Sequence, residues 1–81
     1  MNTYYQDLED ELRLLLGSLE NLTSSDLSEV EEYLQVGEYG VAFETLCSII
    51  KSIGVTDVLR PRSLHLAKKM DIDPIWWKEI T

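Results

Sequence analysis

An all-α fold, a single compact bundle of four to five short helices, is what this sequence predicts, and three observations predict it. Apolar residues recur every three to four positions through most of the chain. No segment alternates convincingly with period two. Gly and Pro fall singly between the periodic segments, with no repeat, linker or low-complexity tract. At 81 residues, 44% of them hydrophobic, the chain makes one domain over 1–81, too apolar for an acidic disordered tail. A core of this size leaves a net stability of only about 3–5 kcal/mol, so caps and partners count.

The first helix is expected from about Thr3, read as its N-cap, to about Leu22. Tyr4, Leu8, Leu12, Leu15, Leu16, Leu19 and Leu22 fall on one stripe at 100° per residue, while Gly17 marks a bend or an early end. A second starts near Ser24–Ser25, either serine serving as cap, and ends at Gly37, with Leu27, Val30 and Leu34 inward. A third spans Tyr39 to Ile53 and is closed by Gly54. Ala42, Phe43, Leu46, Cys47, Ile49, Ile50 and Ile53 cover more than half its circumference, which makes it the central helix. Val55–Thr56–Asp57 reads as a turn. Pro61 then fixes the start of a fourth helix near Arg60, running to about Met70. Asp73–Pro74 is an N-cap followed by an N1 proline, opening a last turn or two through Ile75, Trp76, Trp77 and Ile80.

Charge is segregated along the chain. The net charge is −8; residues 1–50 carry eleven Asp/Glu against Arg13 alone, whereas residues 51–81 carry six Lys/Arg against four Asp/Glu. The acidic half repels phosphate backbones, so direct nucleic-acid binding is not expected; it attracts a cationic protein partner and speeds encounter with it. The longest apolar run, Leu14–Leu15–Leu16, is far below a membrane span, and the N-terminus has neither a basic nor an apolar leader region. Cytoplasmic residence without membrane contact is therefore expected.

Catalytic chemistry finds little to work with. His65 and Cys47 are the only residues of their kinds, two potential ligands where zinc needs three or four, so neither a metal nor another cofactor is expected. A Cys–His pair is disfavoured because Cys47 lies in the most apolar helix. There is no phosphate-binding glycine loop; Gly37 and Gly40 flank Glu38–Tyr39 with no lysine at hand. Glu29 and Glu32, one turn apart on a polar face, are expected to stay ionised, unlike a working acid–base pair. The chain is read as a non-enzyme with no catalytic residues. Of the two tryptophans, adjacent helical positions differ by about 100°, so one closes the core and the other faces outward as a potential interface anchor.

The segment Leu34 to Cys47 is a helix end, a tight turn and a new helix. Gly37 supplies positive φ, Glu38 is placed to cap the new helix, and Gly40 and Ala42 allow close approach. Its Gly37, Glu38, Gly40, Ala42, Phe43, Glu44 and Leu46 resemble a pattern in small helical immunity proteins of bacterial polymorphic-toxin systems, including MafI-type and contact-dependent growth-inhibition immunity proteins. Leu66 to Met70 looks like the closing helix of that family, and the matching elements span roughly residues 27–72; the Pro61 break and the Asp73–Trp77 extension depart from the pattern. The resemblance implies neutralisation of a cognate toxin C-terminal domain, a basic nuclease of RNase or tRNase type, in a one-to-one complex. Asp26, Glu29, Glu32, Glu38 and Glu44 are then the charged contacts, with Tyr39 and Trp77 as anchors. Homo-oligomerisation is not expected on this reading. The alternative is an acidic helical adaptor or regulatory interaction domain, which self-association through Ile75–Trp77 would favour.

Overall fold

Residues 3–81 are described by a computed structural model. They form α1 (Thr3–Gly17), α2 (Ser24–Gln35), α3 (Tyr39–Ile53), α4 (Leu59–Lys69) and the short α5 (Pro74–Trp77), and no strand occurs among them. The all-α bundle is as predicted. The reading of the extreme N-terminus as free of a leader involves Met1 and Asn2, which lie outside the described residues.

The central position of α3 follows from its composition. Ala42, Phe43, Leu46, Cys47, Ile49 and Ile50 are all buried, and the helix packs against α1, α2 and α5, while α4 packs on α1 and α5. Leu8, Leu12, Leu15 and Leu16 of α1, Val30 and Leu34 of α2, Leu59, Leu66 and Ala67 of α4, and Ile80 complete one core. The radius of gyration, 11.7 Å, equals that of a compact domain of this length, about 11.7 Å. No helix among the described residues is long and apolar enough to cross a membrane.

Several boundaries differ from expectation, each for a local reason. α1 stops at Gly17, not Leu22; Leu19 and Leu22 still pack on the core, but from a loop in which Asn21 takes a left-handed φ of 61°. Thr3 is itself helical rather than the cap of α1. The α2 cap is Thr23, whose hydroxyl accepts from the Asp26 amide at 3.0 Å, so neither serine has that role. Leu27 is 43% exposed and lies outside the core, because α2 packs through Val30 and Leu34 one and two turns further on. α4 begins at Leu59, with the Thr56 hydroxyl accepting from the Leu59 amide at 3.3 Å. Pro61 thus stands in the first turn, where its missing N–H costs no bond.

Two helix ends close in the same way. Gly37 (φ 77°) follows α2, and the Glu38 amide donates back to Tyr33 O at 2.9 Å; Asp71 (φ 54°) follows α4, and the Ile72 amide donates to Ala67 O at 3.0 Å. These are Schellman closures, which satisfy otherwise free carbonyls. At the C-terminus Asp73 accepts from the Ile75 amide at 3.0 Å, the expected cap, with Pro74 at the first helical position.

Among the described residues Ser63 is the one fully buried polar side chain, and its hydroxyl has no hydrogen-bond partner there. An unsatisfied buried hydroxyl carries a desolvation penalty, about 1–3 kcal/mol. Ser63→Ala is accordingly expected to leave the melting temperature unchanged or raise it, by up to about 1 kcal/mol of stability. A loss of more than about 1 kcal/mol in urea unfolding would show that the hydroxyl holds a bond.

Candidate functional site

The acidic surface is built on α2 and the turn that follows it. Residues 24–38 contain five carboxylates, Asp26, Glu29, Glu31, Glu32 and Glu38, and no lysine or arginine. Glu31 is engaged with the bundle itself: Arg13 Nη1 on α1 donates to both its oxygens, at 3.0 and 2.8 Å. The same guanidinium donates through Nε to Glu9 at 3.1 Å, and the Tyr39 hydroxyl donates to the other oxygen of Glu9 at 3.2 Å. Tyr39, Glu9, Arg13 and Glu31 thereby link α3, α1 and α2 in one chain of polar contacts. Hydrogen bonds from Arg13 first to Glu31 and then to Glu9 push its pKa above the ordinary value, so it is charged at all accessible pH.

The remaining carboxylates of this surface are left to solvent. Glu29, Glu32 and Glu38 are exposed, Asp26 is half-buried in the first turn of α2, and none of the four is in an ion pair among the described residues. Glu38 occupies the N-cap position of α3, but its side chain makes no capping bond, contrary to expectation. Close packing at Gly40 is not what the chain shows either, since a Cβ there would meet nothing within 4 Å; Ala42 is the small residue that is buried. Glu44 stands apart from the α2 group. It lies two turns before Lys51 on α3, and both act on the charge balance of Cys47 between them. Lys51 in turn reaches Glu79 at 3.5 Å.

The aromatic anchors are arranged differently from expectation. Trp77, singled out from the sequence as a contact, is the inward member of the pair: it is half-buried against the core, and its indole N–H donates to Ile72 O at 2.8 Å. Trp76 is 37% exposed and Ile75 64%, so these two form the apolar end of the molecule. The reason is the 100° step between neighbours, which the sequence supplies without its sign. Tyr39 is half-buried, its hydroxyl held by Glu9 and its ring stacked on Tyr5 with centroids 6.1 Å apart. Burial first, and then the bond to Glu9, raises its pKa. Tyr5 also meets Tyr4 edge-on at 5.4 Å. With Gly37 and Gly40 these rings line a shallow hollow of about 280 Å³ beside the turn. Tyr4 stands on the apolar stripe expected for α1, whereas the stacking of Tyr5 on a ring thirty-four positions away has no local signal in the sequence.

α4 has the opposite character. Arg60, Arg62, Lys68 and Lys69 lie on it with no carboxylate between Leu59 and Lys69. Glu11 of α1 reaches across to it, with Lys69 Nζ at 2.9 Å from one oxygen and His65 Nε2 at 3.1 Å from the other. Cys47 is enclosed by the core, and burial pushes its thiol up to about 12, so hardly any thiolate exists near neutral pH. No group of three His, Cys, Asp or Glu among the described residues is placed to hold a metal ion. Compared with family models, curated proteins and solved structures, the chain matches none of them.

Burial alone would raise the Glu11 carboxyl, but the bonds from Lys69 and His65 outweigh it and hold the pKa below its ordinary 4.5. A carboxylate depressed in the folded state stabilises the fold above its unfolded pKa and loses that contribution as pH falls through the folded value. Glu11→Gln is expected to lower stability at pH 7 by no more than about 1 kcal/mol, the pair being partly exposed. The difference from wild type should shrink as pH falls below 4.5 and Glu11 takes up its proton. Urea denaturation at pH 7 and pH 3 reads it; an equal difference at both pH values would contradict the assignment.

Proposed function

We propose that this chain is an immunity-type protein that binds and neutralises a cognate toxin domain, a basic nuclease, in the cytoplasm of the bacterium it protects. The observation that carries the reading is the α2 surface: Asp26, Glu29, Glu32 and Glu38 are held on a capped helix and its closing turn, with no cation of the same segment to neutralise them. A nuclease presents cationic side chains where phosphates bind, and carboxylates on a rigid element can take those positions while steering association. The Gly37–Glu38 turn that resembles the immunity-protein pattern sits at the end of this surface. Tyr39 beside it, with Tyr5, offers apolar contact next to charge, a combination common at interface hot spots. Glu44 on α3 is a second, separate point of contact, and the anchor at the C-terminal end is Trp76 rather than Trp77.

The adaptor reading draws on the C-terminal end of the molecule, where the adjacent Ile75 and Trp76 are both exposed. It differs in predicting no toxic neighbour and binding insensitive to α2 charge.

Co-expression with the protein encoded immediately upstream tests the reading, scored by rescue of growth and by co-elution. Glu29→Lys/Glu32→Lys is expected to weaken the complex about 10-fold or more, chiefly through the association rate, and to reduce its salt dependence. Helicity by circular dichroism should not change, because both side chains are exposed. Separate elution with undiminished toxicity would overturn the proposal. Unchanged affinity of the double variant would remove α2 from it.

A further inference from the structure

The α1–α4 face has a feature that binding of a basic partner through α2 does not use. Two adjoining hollows, of about 400 and 490 Å³, share Pro61 and His65. Their apolar lining includes Leu14, 64% exposed, together with Leu64 and Leu66. Around this lining stand cations. Lys69 is paired with Glu11, the one carboxylate in the wall, and Arg62 donates to the Ser18 hydroxyl at 2.8 Å. Lys68, which lines the second hollow, and Arg60, next to Pro61 in the first turn of α4, are exposed and in no ion pair among the described residues. A chain of net charge −8 thus carries one groove with an apolar floor and a cationic rim.

We propose that this groove receives the α2 face of a second copy of the same chain. Charge complementarity argues for that occupant. Residues 24–38 carry five carboxylates and no cation, while residues 59–69 carry four cations and no carboxylate. The two helices also match in length, with 12 and 11 residues, or about 18 and 16 Å. α2 brings exposed apolar residues of its own, Leu27 at 43% and Val36 at 67%, beside Glu29 and Glu32. An amphipathic helix laid in an apolar groove is a recurrent mode of recognition. Because the paired surfaces differ, the contact is heterologous. Repulsion between two copies of charge −8 opposes it at long range, but at 0.1 M salt the screening length is about 10 Å, so the juxtaposed faces dominate. Pairing covers the same carboxylates that a cationic partner would take, so that partner competes with it; the pairing itself does not depend on the toxin reading.

Sedimentation equilibrium of the protein alone tests it. At 0.1 M salt the weight-average mass should rise with concentration from 9.3 kDa to twice that or beyond by about 1 mM, without the plateau of a closed dimer, and fall back at 1 M salt, where screening shortens to about 3 Å. Arg60→Glu/Lys68→Glu should be monomeric throughout, and so should Glu29→Lys/Glu32→Lys. An equimolar mixture of the two should associate, because the first retains the acidic face and the second the cationic groove. Arg60→Gln/Lys68→Gln replaces the reversal variant if circular dichroism shows that the latter has lost helix. A wild-type mass of 9.3 kDa at every concentration overturns the proposal. So does a mixture that stays monomeric, or association lost only with Trp76→Ser.

Discussion

Arg13 is the interaction on which the arrangement of the first three helices turns. It is the only lysine or arginine among the first fifty residues, and it reaches Glu9 on its own helix and Glu31 on α2, while Glu9 is held from the far side by Tyr39 of α3. Single exposed ion pairs contribute little, but a network that joins three elements restricts their relative positions together. Its second effect is subtractive. By drawing Glu9 and Glu31 into the bundle it leaves the rest of α2 without a neutralising charge, which defines the acidic surface as much as the carboxylates do.

The apolar periodicity made most of the fold legible. α3 is a clear case: six of the seven apolar residues expected inward are buried, with only Ile53 at the margin. The Asp73–Pro74 cap and the Gly37 closure were readable because each depends on neighbours within five residues. What escaped depends on distance. The partners of Arg13 and Glu11 lie up to 58 positions away. Whether Leu27 is covered depends on where the packing surface of α2 begins, and a helical wheel gives a face without its extent. The tryptophan pair shows the same limit, since periodicity demands that one point outward and is silent on which. For the candidate site, the exposed carboxylates of α2 were legible, and the aromatic hollow beside them was not.

Segregation of charge has a structural side as well as a functional one. The Glu11 link to Lys69 and His65 fastens α4 to α1 with a carboxylate of the acidic half and an ammonium and an imidazole of the basic half, as Arg13 fastens α1 to α2. The bundle thus uses few charges internally, those around Arg13 and Glu11 of α1 and the Lys51–Glu79 pair, and leaves carboxylates without cations on α2 and cations without carboxylates on α4. One acidic and one basic face on one small molecule follow directly from that economy.

The α2 surface is not what folding alone would select. Asp26, Glu29 and Glu32 follow one another at intervals of three, where like charges destabilise a helix by a few tenths of a kcal/mol per pair. Glu31 and Glu32 lie toward the C-terminal end of α2, where the helix dipole disfavours negative charge and no basic residue is present. Lysine at the exposed Glu32 would relieve both effects without touching the core. The Thr23 cap, Asp26 in the first turn, the Gly37 closure and Arg13 on Glu31 offset the penalty from outside the face. On the proposed function, contact with a cationic partner would account for a helix that keeps an unfavourable charge pattern supported by its neighbours.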